Sequence, residues 1–405
     1  MVVVPKIRGF VCVTAHPEGC ERNVMEWIEY VKKKQTAFSF GPKRALIIGA
    51  STGFGLASRI VAAFGGGAKT IGVFLEKSPV KKRTASPGWY NVAAFEKAAC
   101  ALGLYVKSIN GDAFSNEVKR KTIELIRKDW KNGVDLVVYS IAAPRRVHPK
   151  TGEVFNSVLK PIRQFYRSKT VDIMTGKVSE IIVGPATEKE IQDTKLVMGG
   201  DDWALWITAL LESNCLSRGI ITVAFTYIGP ELTYAIYRNG TIGKAKQSLE
   251  ATAKKLDALL KEKREGRAVI SVNKALVTQA SVVIPAVPLY VSLLYKVMKR
   301  KSLHEGCIEQ MLRLFSRYLY GKQKNISIDL EGRVRIDDLE MRRDVQEEVT
   351  ALWQSVNSNN VNQIADITGY REDFYKLFGF GLNNIDYQRD VDTEITIPSI
   401  SSANL

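Results

Sequence analysis

The residues best suited to acid–base chemistry crowd into one stretch, YIGPELTYAIYRNGTIGKAK, which begins at Tyr227 and contains Tyr234, Tyr237, Lys244 and Lys246. A tyrosine hydroxyl is a neutral donor with a pKa of about 10, and a nearby ammonium makes it more acidic. A tyrosine and a lysine together suit hydrogen bonding to a carbonyl oxygen on which charge develops. Tyr237 and Lys246 are nine residues apart, which at about 100° per residue puts them on opposite sides of a continuous helix. They can cooperate only if Asn239 and Gly240 make a turn and Thr241 caps a new helix that carries Lys246 in its early turns. Tyr237 and Lys244, seven apart, would share a face, so geometry alone slightly favours that pair. Tyr234 is expected to pack at a sheet edge.

The second chemical signal is the strand Ala45 to Ile48 running into Gly49, Ala50, Ser51, Thr52, Gly53, Phe54 and Gly55, followed by a helical run to Phe64. Glycines here allow a tight turn, close approach to a pyrophosphate, and a helix N-terminus aimed at its charge. The Gly-x-x-x-Gly-x-Gly spacing is similar to that of short-chain dehydrogenases. After a second strand, Leu75 and Glu76 stand where a carboxylate can accept hydrogen bonds from the adenosine ribose hydroxyls. A carboxylate there repels a 2′-phosphate, so NADH is expected over NADPH. Asp112 and Ala113 follow the third strand, where adenine contacts are made, and Ile141 and Ala142 follow the fourth, where small residues let a cofactor lie against the sheet.

The elements that must position these residues alternate. Apolar, β-branched runs at 45–48, 70–74, 105–109, 136–139 and 220–225 are separated mostly by segments of helical period. This pattern predicts an α/β fold: a Rossmann-type doubly wound parallel sheet with helices on both faces. A polar, turn-rich excursion from Pro144 to Thr187 interrupts it and returns at a helix over Asp201 to Glu212. Beyond Val272 the chain is expected to be mainly helical, with helices at 288–298, 305–318 and 337–356, and the tail from Asp390 to be frayed. The uncharged stretch Ala275 to Tyr295 approaches membrane-span length. Gln279, Ser281, Pro285 and Pro288 interrupt it, which favours a buried helix or pocket wall over membrane insertion.

Composition narrows the function classes. Disorder of the bulk of the chain is excluded by 45% hydrophobic residues. Three histidines and five cysteines with no Cys-x-x-Cys pair argue against a zinc site or a disulfide framework, so reduced, inertly packed thiols and no metal are expected. The N-terminal apolar run is too short for a signal peptide, and a cytoplasmic location is expected. A net charge of +16 favours acidic partners such as phosphorylated cofactors or an acidic carrier protein. Nucleic acid is disfavoured, because no RNA-binding or helix-turn-helix signature accompanies the charge.

Over nearly its whole length the chain resembles the trans-2-enoyl-CoA reductases and V-type enoyl-acyl-carrier-protein reductases, an enlarged branch of the short-chain dehydrogenase superfamily. The motifs that carry the resemblance are HPEGC at His16, GASTGFGLA at Gly49, GWYN at Gly88, GDAFS at Gly111, YSIAAPRR at Tyr139, VMGG at Val197, the Tyr227 stretch, KALVTQAS at Lys274, IPAVPLY at Ile284 and HEGC at His304. The resemblance implies Tyr237 as proton donor with Lys246 rather than Lys244, Tyr227 as a substrate contact, and Leu276, Val277 and Thr278 as a late cofactor segment. It further implies NADH-dependent reduction of enoyl thioesters on coenzyme A or acyl carrier protein in fatty acid synthesis, with Ile284, Pro285, Val287, Pro288, Leu289 and Tyr290 walling an acyl channel. A 3-oxoacyl thioester (carbonyl) reductase of the same superfamily is the rival activity. One enlarged domain is expected over 1–405. Its parts are an N-terminal addition (1–43), a dinucleotide-binding half (44–143), an insertion (144–200), a catalytic segment (201–278) and a helical substrate-binding and C-terminal region (279–405). A monomer is expected, with the terminal additions covering surfaces that smaller relatives use for assembly.

Overall fold

The computed structural model describes residues 1–9, 11–34, 41–81, 83–284, 286–321 and 326–400. A short antiparallel pair, β1 (Ile7–Arg8) and β2 (Val11–Cys12), precedes the sheet strands β3 (Arg44–Ile48), β4 (Lys69–Phe74), β5 (Val106–Asn110) and β6 (Val134–Tyr139). Two antiparallel hairpins follow, β7 (Arg145–Val147) with β8 (Val154–Asn156) and β9 (Tyr166–Val171) with β10 (Val178–Val183). The sheet then resumes with β11 (Leu216–Thr226), β12 (Arg267–Val272) and β13 (Arg333–Arg335). Its seven strands are all parallel in the order β13-β12-β11-β6-β3-β4-β5, so the winding direction reverses between β3 and β6. That reversal opens a crevice at the strands' carboxyl ends, where the glycine loop and the fourth-strand residues stand.

The helices are α1 (Pro17–Lys33), α2 (Gly53–Ile60), α3 (Pro87–Ala101), α4 (Asn116–Asp129), α5 (Glu188–Met198), α6 (Asp201–Glu212), α7 (Glu231–Tyr234), α8 (Thr241–Arg264), α9 (Val287–Arg300), α10 (Cys307–Arg313), α11 (Arg343–Ser355), α12 (Val361–Ile364) and α13 (Ile367–Lys376). Successive strand side chains point to opposite faces, so a strand covered on both sides is apolar throughout. In β3, Ala45 and Ile47 join a core with α1, α2, α3 and the late helices, while Leu46 and Ile48 join a second core with α4, α6 and α8.

Four expectations change. The excursion is built of two hairpins, which its polar sequence disguised because only part of their surface is covered. The helix expected over 305–318 is α10, continued by a π-helical turn at Leu314–Leu319. The helix expected from Asp337 starts six residues later, since Asp337 and Glu340 lie in a turn with their side chains buried. The tail is not frayed over the described residues. Val391, Thr393 and Ile397 are buried, and Trp89 Nε1 and Tyr90 Oη of α3 donate to the carbonyls of Ile395 and Thr393 at 2.7 and 2.9 Å.

Among the described residues no helix is long and apolar enough to cross a membrane. The uncharged stretch instead becomes a loop and the buried α9.

Candidate active site

The glycine loop follows from backbone crowding. Gly49 has φ +90°, and a Cβ on it would lie 2.2 Å from the Ser140 carbonyl oxygen, while one on Gly55 would lie 1.8 Å from the carbonyl oxygen of Gly49. Any side chain would push the loop off the sheet. No side chain caps the start of α2 at Thr52, so its first amides remain to meet an anion. Beside the loop, Ser51 Oγ donates to Glu76 Oε1 at 2.7 Å. Burial pushes the Glu76 carboxyl up, and the hydroxyls of Ser51 and Ser86 pull it back. Leu75 is exposed next to it. Asp112 uses its side chain in the turn after β5, accepting from the Phe114 amide at 2.9 Å, and Ala113 is buried.

At the switch in strand order lies a cavity of about 560 Å³. It gathers Phe54, Ile141, Ala142, Tyr227, Tyr237, Lys246, Leu276 and Thr278 from the expected site. Gly49, Ala50, Ser51, Thr52, Gly53, Leu75, Glu76, Asp112 and Ala113 do not line it; they stand along the carboxyl ends of β3, β4 and β5. Val277 lies behind the wall, its amide donating to Tyr295 Oη at 3.3 Å.

The tyrosine–lysine geometry is decided by a break. α8 starts at Thr241 after Gly240 as its N-cap, so Lys246 sits in its second turn, half-buried on the cavity. Tyr237 precedes the break on the turn after α7. Lys244 is exposed and lines a different groove with Arg163 and Lys195, which corrects the helical preference for it. The expected cap is corrected too: Gly240 is the N-cap, and the Thr241 hydroxyl donates to the Val158 carbonyl at 2.5 Å, tying the excursion to the site.

Electrostatics correct a further expectation. Tyr237 is not made more acidic; burial pushes its hydroxyl up with no cation offsetting it. It is therefore a neutral donor throughout the physiological range. Burial also lowers Lys246 to about 8, against a raising influence from Glu250. The Tyr227 ring meets Tyr237 edge to face, with centroids 5.1 Å apart and planes at 71°.

The apolar wall differs in part from the expected channel. Ile284 and Val287 line the cavity, Leu289 and Tyr290 are buried in the core behind it, Pro288 is not part of the lining, and Pro285 lies outside the described residues. Leu159 of the excursion and Met198 of α5 complete it. Sequence reasoning also missed Thr226, Asn273 and Lys274, all buried on the cavity wall. Among the described residues Thr226 Oγ1 and Asn273 Nδ2 have no hydrogen-bond partner. Their signal was position alone, at the carboxyl ends of β11 and β12.

Three family models match. The NAD(P)H binding domain of trans-2-enoyl-CoA reductase covers residues 2–81, the trans-2-enoyl-CoA reductase catalytic region 83–320, and the enoyl reductase FAD binding domain 328–391. The last segment does not fit a flavin. It lines neither the cavity nor the Lys244 groove, its Val345, Val349, Tyr370 and Phe374 fill the core, and its glycines at 332, 369, 379 and 381 form no phosphate loop before a helix. The chain is 69% identical over 401 residues to an enoyl-acyl-carrier-protein reductase (NADH) of Coxiella burnetii, covering 99% of this chain and 98% of that one. It is 56% identical to a trans-2-enoyl-CoA reductase (NADH) of Ruminiclostridium cellulolyticum, covering 99% and 100%. The crystal structure of Treponema denticola trans-2-enoyl-CoA reductase in complex with NAD superposes with a TM-score of 0.93 at 48% identity, covering 99% of this chain and 100% of that one. By the matched models and by identity along almost its whole length, the chain belongs to the trans-2-enoyl-CoA reductase family.

Proposed function

We propose that Tyr237 is the proton donor, and Lys246 its cationic partner, in the reaction of this NADH-dependent reductase of trans-2-enoyl thioesters. The observation that carries the assignment is that both side chains line one cavity at the carboxyl end of β11, brought together by the break at Gly240. The chemistry the dinucleotide supplies when bound is hydride transfer to Cβ of the enoyl group. As Cβ gains hydride, the π electrons move toward the thioester oxygen. A neutral Tyr237 hydroxyl, buried where water screens little, stabilises that oxygen strongly. The Tyr237 hydroxyl proton passes to the enolate, which ends as the saturated thioester protonated at Cα, and the tyrosinate left behind takes a proton back from solvent. A pKa raised by burial does not forbid the transfer, because a thioester enolate is a strong base.

Lys246 suits a grip on the nicotinamide ribose. Leu276 and Thr278 line the same wall, and Asn273 Nδ2 and Thr226 Oγ1, with no partner among the described residues, would hydrogen-bond cofactor or substrate. The loop Gly49–Phe54 would cradle the pyrophosphate, Leu75, Glu76, Asp112 and Ala113 the adenosine, and Ile141, Ala142 and Val277 the remaining length of the cofactor. Ile284, Val287, Leu159 and Met198 form an apolar wall for the acyl chain. Coenzyme A and acyl carrier protein both carry negative charge, which the net charge of +16 suits.

The buried core that runs from Val3 to Ile397 supports reading 1–405 as a single enlarged unit. A monomer in the cytoplasm is the corresponding reading of assembly and location. The activity is tested by NADH oxidation with crotonyl and acetoacetyl thioesters. Turnover of the first alone is the expected result; turnover of the second alone would favour a carbonyl reductase.

A further inference from the structure

Behind the cavity wall lies a buried carboxylate that none of the assigned roles uses. Glu340, with no exposed surface, accepts on Oε1 from Tyr227 Oη at 2.9 Å and from Tyr290 Oη at 2.7 Å, and on Oε2 from the Ala275 amide at 2.7 Å. The direction of the Tyr290 bond is set by a fourth residue. Gln346 Nε2 donates to the Glu340 backbone carbonyl at 2.7 Å, which can only accept, so that atom is the amide nitrogen. The same nitrogen donates to Tyr290 Oη at 3.2 Å, which aims the Tyr290 proton at Glu340. Burial pushes the Glu340 carboxyl up, while Lys274, itself buried on the cavity wall, and the bonds from Tyr290 and the Ala275 amide pull it back toward the carboxylate form.

We propose that Glu340 is a positioning residue that takes the single hydroxyl proton of Tyr227, so that Tyr227 faces the cleft as a fixed ring and acceptor while Tyr237 alone donates to the thioester oxygen. A tyrosine has one O–H, and an ionised carboxylate offers only acceptors. With that proton committed at 2.9 Å, Tyr227 has none for the substrate. Its ring, anchored at the far end, buttresses the Tyr237 ring edge to face. The segment 328–391 thereby serves the site through a carboxylate, 113 residues from the tyrosine it holds. This inference rests on the reductase reading above.

The test is a cycle of Tyr227→Phe, Glu340→Gln and the double variant, each assayed for kcat and KM with crotonyl thioester, NADH affinity and thermal midpoint. If the two act as one unit, each single variant lowers kcat/KM by about tenfold, the double variant is no worse than the poorer single within about threefold, and NADH affinity is unchanged. Costs that multiply to about a hundredfold in the double variant would overturn the proposal. So would a loss in Tyr227→Phe of about a hundredfold or more in kcat at constant KM, the mark of a hydroxyl that donates in the transition state. Should Glu340→Gln fail to fold, that division between kcat and KM in Tyr227→Phe decides alone. A wild-type protein inert toward crotonyl thioester would reject the reductase reading, and this inference with it.

Discussion

The amide of Gly243 donates to the carbonyl of Tyr237 at 3.0 Å, so the first turn of α8 is wrapped directly onto the backbone of the proposed proton donor. A Cβ on Gly243 would lie 1.7 Å from the Arg238 carbonyl oxygen and 2.9 Å from that of Tyr237. Gly243→Ala should therefore move Tyr237, lowering kcat by tenfold or more and costing roughly 1–3 kcal/mol of stability. Steady-state kinetics and a denaturant titration check both; a fully active, equally stable variant would contradict the packing.

Tyr237→Phe removes one hydroxyl and keeps the ring that meets Tyr227. Turnover should fall by about 10²–10⁴ with NADH affinity retained. Wild-type turnover in this variant would reject the donor assignment.

Burial lowers Lys246 to about 8, so its charged form is complete below that pH and is lost as pH rises through it. The kcat/KM profile should have a basic limb near pH 8. Any activity left in Lys246→Arg should lack that limb, since a guanidinium stays charged. Lys244→Ala, exposed and away from the cavity, should turn over like wild type, whereas Lys246→Ala should not. The reverse pattern would restore the same-face pairing.

Glu76 receives the Ser51 hydroxyl beside the glycine loop. Replacing it with alanine removes a carboxylate that would repel a 2′-phosphate and should improve NADPH use relative to NADH by roughly tenfold, about 1.4 kcal/mol. An unchanged ratio of the two kcat/KM values would count against the ribose role.

The tail binds α3 and its surroundings. Ser399 donates from its amide and hydroxyl to Glu96, at 2.9 and 2.8 Å, and Glu96 is fully buried 3.7 Å from Arg59. Deleting residues 390–405 should cost about 3 kcal/mol or more, from lost hydrogen bonds near 1 kcal/mol each and a buried carboxylate left short of partners. A thermal midpoint equal to that of the full chain would show the tail to be dispensable.

The amino-acid sequence by itself determined the features set within a few residues of chain. The apolar runs of β3 and β6 required strands covered on both faces, and the glycines at 49 and 55 required a loop pressed against the sheet. Spacing left Lys244 and Lys246 both open, and favoured Lys244, which lies away from the cavity, because it could not say whether the helix was continuous through Gly240. Family motifs chose Lys246 without a geometric reason; the break supplies it. Only the tertiary structure decided what depends on burial. It brought Glu340 to Tyr227, docked the tail on Trp89 and Tyr90, and turned a polar excursion into a wall of the site. Backbone torsions are local, and short motifs record them. The partner of a buried carboxylate or a covered strand is settled by which distant surface excludes water from it, and no local spacing encodes that.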